Sequence, residues 1–228
     1  MLRGSDKDSV DFATRGQSTV IGFLAIVLSF SLVSAQANLH AVETMVSAEA
    51  SQINQLDRLL LRYGDPKVAQ MRGLLAAYAQ SIVGEEWPLL SRGDRSGLDS
   101  RLSETFGQLS RAVFSIDPAP GRQIEIYNQI PKEMDGLSES RGRRIEAADI
   151  RLPDIFWEII FALLVLLVAL GVMIEPSLWR AIAMGGQAMA VALLLSLVFI
   201  YDQPFKGQTS VGPDAIVKAL AMMKSRTS

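Results

Sequence analysis

Apolar positions along the chain gather into three blocks, and one block continues into a long helical repeat. Residues 152–174 read LPDIFWEIIFALLVLLVALGVMI, and residues 178–201 read LWRAIAMGGQAMAVALLLSLVFIY. Each supplies about 20 mostly apolar residues, enough for a helix to cross a hydrocarbon core roughly 30 Å thick. Only Glu175, Pro176 and Ser177 separate them, which predicts a tight helical hairpin. Trp157, Trp179 and Tyr201 sit near the block ends, where amphipathic rings favour the membrane interface. The chain is therefore expected to be a membrane protein.

The third block, residues 20–35, reads VIGFLAIVLSFSLVSA and is about as short as a spanning helix can be. A secretory signal cleaved after Val33-Ser34-Ala35 is one reading of it. Acidic residues ahead of the block (Asp6, Asp8, Asp11) speak against a signal. So do Leu39, Val42, Val46, Ile53, Leu56 and Leu60, which continue the 3–4 spacing without Gly or Pro. A single helix from near Ser18 to Tyr63 is expected, stopped by Gly64-Asp65-Pro66. Half of such a helix must project into water.

Pro66 suits the first turn of a second helix carrying Val68, Met71, Leu75, Tyr78 and Ile82. Glu85-Glu86-Trp87-Pro88 is expected to end it, and residues 91–97 (SRGDRSG) to form a loop. Leu98, Leu102, Phe106, Leu109 and Val113 predict a third soluble helix. A fourth is expected from about Arg122 to Arg151, with a possible kink at Pro131. A short amphipathic helix over residues 214–224 is expected to dock on the bundle or, alternatively, to lie on a membrane surface. No stretch alternates with period two, so no strand is expected.

The pattern thus predicts an all-α integral membrane protein with three transmembrane helices and a cytoplasmic antiparallel helical bundle. Residues 1–36 hold the tail and first span, 37–151 the bundle, 152–201 the hairpin, and 202–228 the C-terminal tail. Basic residues set the orientation. Lys132, Arg141, Arg143, Arg144 and Arg151 precede the hairpin, and Lys206 and Lys218 follow it. These outnumber Arg3, Lys7, Arg15 and Arg180 on the other side, so the bundle is expected in the cytoplasm of a cell inner (plasma) membrane protein.

Charge and composition remove several function classes. The net charge of −2 implies no nucleic-acid footprint. With no Cys, disulfides, thiolate metal sites and a Cys nucleophile are excluded. No phosphate loop, Ser-His-Asp set or HExxH occurs, so neither an enzyme nor a bound cofactor is expected. His40, the only histidine, is spaced to meet Glu43 on one helix face; a metal site would need more ligands. Glu85, Glu86 and Asp94 read as solvated helix-end charges. Arg141, Arg143 and Arg144 read either as a topology signal or as a site for anionic lipid, at about 1 kcal/mol per basic residue.

Three intramembrane features carry more weight. Gly22, Ala25, Ser29 and Gln36 fall close to one face of the first span. Such a face suits close helix packing in lipid or a narrow pore lining. Gln187, beside Gly185 and Gly186, needs a hydrogen-bond partner in hydrocarbon, and a helix–helix contact is expected to supply it, a permeation role being the alternative. Glu158 lies one turn inside the hairpin and is expected to reach the interface.

Residues 5–36, 53–65 (INQLDRLLLRYGD), 85–88 (EEWP) and 151–157, with the tail DQPFKGQTSVGP, resemble the bestrophin-like membrane protein family. The resemblance spans most of the chain. Members usually begin with a further membrane helix, so this chain looks shortened at its N-terminus. Bestrophins themselves are oligomeric anion channels with four spans and a helical cytoplasmic region. The resemblance implies a homo-oligomer and, by name only, an anion channel. A membrane-anchored scaffold that uses the helical bundle to bind partners is the alternative.

Overall fold

The computed structural model describes residues 2–94, 101–118, 121–174, 177–207 and 209–226. Everything regular in them is helical, and no strand occurs among them. Helix α1 covers Leu2–Tyr63, α2 Pro66–Ser81, α3 Trp87–Arg92 and α4 Arg101–Phe114. Helix α5 covers Arg122–Glu146, α6 Asp154–Val172, α7 Leu178–Tyr201 and α8 Asp214–Ser225. Among the described residues, three helices are long and apolar enough to cross a membrane, and each carries one of the three apolar blocks. The chain divides into two compact units. One joins the residues up to Asn38 with Arg151–Gln203; the other joins Leu39–Ile150 with the chain from Pro204 onward.

The membrane unit holds the first part of α1 with α6 and α7. No break separates the apolar block at residues 20–35 from the helical repeat behind it. Leu24, Leu28 and Ala35 of α1 pack with Leu152, Ile160 and Val198. Ser31 is fully buried on the same face, and its hydroxyl donates to the Val27 carbonyl at 2.8 Å, so it adds no unpaired donor. Phe23, Ile26, Phe161, Val168, Ile182 and Leu193 point outward. Exposed apolar surface spread around three such helices is stable in hydrocarbon, where it displaces no water. Ser177 caps α7 by accepting from the Arg180 amide at 3.3 Å. Glu175 and Pro176 of the expected hairpin turn lie outside the described residues.

The entry to α6 differs from expectation. Helix α5 runs unbroken through Pro131, ends at Glu146, and gives way to one 3₁₀ turn at Ala147–Asp149 and an extended Ile150. Pro153 disfavours helical backbone at the residue before it, so α5 cannot flow into α6. The Leu152 amide freed by this break donates to Asp202 Oδ1 at 2.6 Å. Asp202, just past the end of α7, thereby ties the two hairpin helices together at their base.

In the second unit, α1 ends at Gly64, whose φ of 81° is the left-handed conformation that glycine adopts without strain. Asp65 then caps α2 by accepting from the Lys67 amide at 2.7 Å, with Pro66 in the first turn. Helices α2, α4, α5 and α8 pack with the remainder of α1 around Ile53, Leu56, Leu75, Leu109 and Leu137. Helix α8 is docked, not free for a membrane surface. Ile216, Ala219 and Met223 are buried, and Arg226 pairs with the buried Asp57 at 2.7 Å. Arg72 holds the other oxygen of Asp57 at 2.7 Å and the Met223 carbonyl at 3.1 Å.

The EEWP stretch does not end its helix. Residues Ile82–Glu86 form a π-helical turn, and α3 continues to Arg92 before Gly93 terminates it at φ 72°. Pro88 directly follows the π turn and, lacking an N–H, gives up one intrahelical hydrogen bond without stopping the helix. Of the expected loop at residues 91–97, Ser91 and Arg92 belong to α3, while residues 95–97, with Leu98, lie outside the described residues.

Candidate functional site

Gly22, Ala25, Ser29 and Gln36 all lie exposed on α1, on the side away from Leu24, Leu28 and Ala35. The packing face of the span is therefore the aliphatic one, and the small, polar stripe faces out of the chain. A methyl group added at Gly22 would meet nothing within 4 Å. The aromatic Phe23 and Phe30 border the stripe, and Phe30 stacks on Phe156 at 5.8 Å. Glu158 and Gln187 are exposed as well. The Gln187 amide makes no hydrogen bond within the described residues, so the expected helix–helix partner is not found among them. The structure does not gather these six residues into one site.

It gathers a different set that periodicity did not indicate. Glu49 of α1, Glu86 of the π turn and Arg144 of α5 form a fully buried ionic cluster. Arg144 contacts Glu49 through Nε and Glu86 through Nη1. The Tyr78 hydroxyl donates to Glu49 Oε1 at 2.7 Å. Burial would lower the Arg144 pKa, but the two facing carboxylates outweigh it and hold the guanidinium charged. Burial, reinforced by the Glu49 charge, lifts Tyr78 well above the usual phenol range. Burial also raises the Glu86 carboxyl, against the opposing pull of Arg144. Around the cluster, the Trp87 ring lies 6.0 Å from the Arg144 guanidinium carbon, and Arg141 stacks over Phe106 at 5.5 Å.

Two expectations are corrected here. Arg144 is enclosed among carboxylates and presents no charge to an anionic lipid headgroup. Arg143 is exposed and pairs with Glu139 at 3.2 Å, one turn earlier on α5. Glu86 is not a solvated helix-end charge: the π turn inserts one extra residue and rotates it inward. Asp94 is exposed. His40 and Glu43 form an exposed pair at 3.0 Å, and no group that could hold a metal occurs among the described residues.

The family-like stretches converge on the contacts just described. EEWP supplies Glu86 and Trp87, and the tail supplies Phe205 and Val211, which receive the Trp87 ring and its Nε1–H. The stretch at 53–65 supplies Asp57 for the two arginines. Residues 17–216 match the bestrophin-like domain. The chain belongs to the bestrophin-like family. No curated protein and no solved structure matches it. A bestrophin-like chain read by periodicity alone hides its ionic cluster, because Glu49, Glu86 and Arg144 are far apart in sequence. The only local sign was a Glu-Glu-Trp-Pro run where a helix continues.

Proposed function

We propose that this bestrophin-like protein is a homo-oligomeric channel for small anions whose first spans surround the conducting axis. The supporting observation is the outward stripe of Gly22, Ala25, Ser29 and Gln36. It is small and carries the Ser29 hydroxyl, lies along the apolar block of α1, and is exposed at all four positions, with open space beside Gly22 among the described residues. Short side chains leave room for an ion, and hydroxyl and amide groups replace part of its hydration. The unpartnered Gln187 amide fits a contact with a neighbouring subunit. The chain acts without a cofactor and not as an enzyme. The protein resides in the plasma (inner) membrane.

Ser29 lies near the middle of the span, so one copy per subunit would converge on the axis. In liposomes loaded with chloride, Ser29→Trp is expected to abolish flux with the detergent-solubilised assembly unchanged in size, and Ser29→Ala to leave assembly intact. Dissociation by Ser29→Trp would make the stripe a packing surface between subunits. Absence of flux from the unmodified protein for every anion and cation tried would favour the scaffold.

The helical bundle faces the cytoplasm on this proposal, supported by the basic residues that flank the hairpin. Ser96 would be a natural labelling position but lies outside the described residues; Ser115 at the end of α4 is exposed. The chain has no native thiol. Ser115→Cys should resist an impermeant maleimide in intact cells and react after permeabilisation. Rapid labelling in intact cells reverses the orientation.

A further inference from the structure

Glu86 stands out among the buried groups because its environment is built from three other elements and leaves it incompletely satisfied. It sits at the end of the π turn Ile82–Glu86, fully buried. Glu49 comes from α1, Tyr78 from α2, and Arg144 and Arg141 from α5. Arg144 is shared: it holds Glu49 through Nε and Nη2 and reaches Glu86 only through Nη1. Tyr78 donates to Glu49, not to Glu86. Neither Glu86 oxygen has a hydrogen-bond donor, Oε2 meeting Arg144 Nη1 only as an ion-pair contact and Oε1 meeting no cation, and Arg141 Nε has no acceptor. Two carboxylates thus compete for one guanidinium in a dry site, and the favourable contacts go to Glu49.

We propose that Glu86 is a proton-binding site that switches the π turn, with protonation releasing Glu86 from Arg144 and leaving the Arg144–Glu49 pair intact. The proton comes from bulk water and adds to the unpartnered Oε1; no bond is broken. One guanidinium then faces one carboxylate, and the neutral Glu86 becomes a donor in its own right. The π turn is the element able to respond. Its extra residue is a local departure from α-helical hydrogen bonding, held in place by the inward pull on Glu86. Burial raises the Glu86 carboxyl, so the folded chain binds this proton more tightly than the unfolded chain. Between the ordinary carboxylate range and the raised value, lowering the pH stabilises the fold at this group. Raising the pH through the raised value removes that contribution. This differs from the usual ion-paired carboxylate and holds whether or not the protein conducts ions.

The test is isotope-edited infrared spectroscopy of the full-length protein in detergent, labelled at glutamate, across a pH series. A protonated, buried carboxylic acid band should persist above the ordinary carboxylate range and disappear in one step. Glu86→Gln should lose that band while remaining folded, since glutamine mimics the neutral acid. Glu49→Gln should retain the band but shift its midpoint to lower pH, because one opposing negative charge is gone and Arg144 becomes free for Glu86. Amide exchange across residues 82–92 should rise with the same midpoint as the proton binds, and lose its pH dependence in Glu86→Gln. Absence of the band at every pH where the protein is folded, or its survival in Glu86→Gln, overturns the site. A titrating band with exchange unchanged overturns the switch.

Discussion

Arg144→Met is expected to lower the stability of the helical bundle by roughly 3–5 kcal/mol. The magnitude comes from what the substitution leaves behind. Glu49 and Glu86 both face Arg144 inside the fold, and removing the guanidinium strands two carboxylates away from water. Methionine matches much of the lost volume, so the loss reports charge and not a cavity. The desolvation of a buried ion pair offsets most of its attraction, so replacing all three charges together is far milder. Arg144→Met combined with Glu49→Gln and Glu86→Gln should recover most of the lost stability. Thermal unfolding in detergent, followed by helical circular dichroism, measures both proteins. A triple variant as unstable as Arg144→Met would show that the stability resides in the packing of the arginine stem and not in the charges.

Trp87→Ala comes next, at about 3–5 kcal/mol. Trp87 is 7% exposed, stands edge-on to Phe205 at 5.8 Å, and donates from Nε1 to the Val211 carbonyl at 3.2 Å. Those two contacts pin the stretch between Pro204 and α8 onto the bundle. Truncation should therefore lower the unfolding temperature and open that stretch to protease, with cleavage between Phe205 and Asp214 preceding global unfolding. Trp87→Phe keeps a ring against Phe205 but leaves the Val211 carbonyl without its donor, a loss of about 1–3 kcal/mol. Equal losses for the two variants would mean that the hydrogen bond, not ring burial, secures the tail.

The membrane unit was legible because its determinants are local. A block of apolar residues needs no partner to favour hydrocarbon, so residues 152–174 and 178–201 declare themselves from composition and length. The same holds for the continuity of α1, since nothing between Val20 and Leu60 breaks a helix, and for its stop at Gly64-Asp65-Pro66. The face of the first span was legible too: four residues at helical spacing share a side wherever the helix packs. Sequence periodicity could not say which side turns inward. Leu24, Leu28 and Ala35 take the packing face against Leu152, Ile160 and Val198, and this leaves Ser29 outside.

The charged residues behaved differently, for a physical reason. The state of an ionisable side chain depends on what surrounds it in space, and Glu49, Glu86 and Arg144 meet across long sequence separations. Taken alone, Arg144 was one of three basic residues beside a membrane, and Glu86 was the end of a helix. A single π turn, with Pro88 tolerated just behind it, rotates Glu86 into the core and reverses both meanings. The sequence by itself determined that this chain is helical, membrane-spanning and bestrophin-like, because hydrophobic length and helix-stopping residues act within one segment. Only the tertiary structure decided which charges are buried and which face of α1 is free, because those depend on packing between segments.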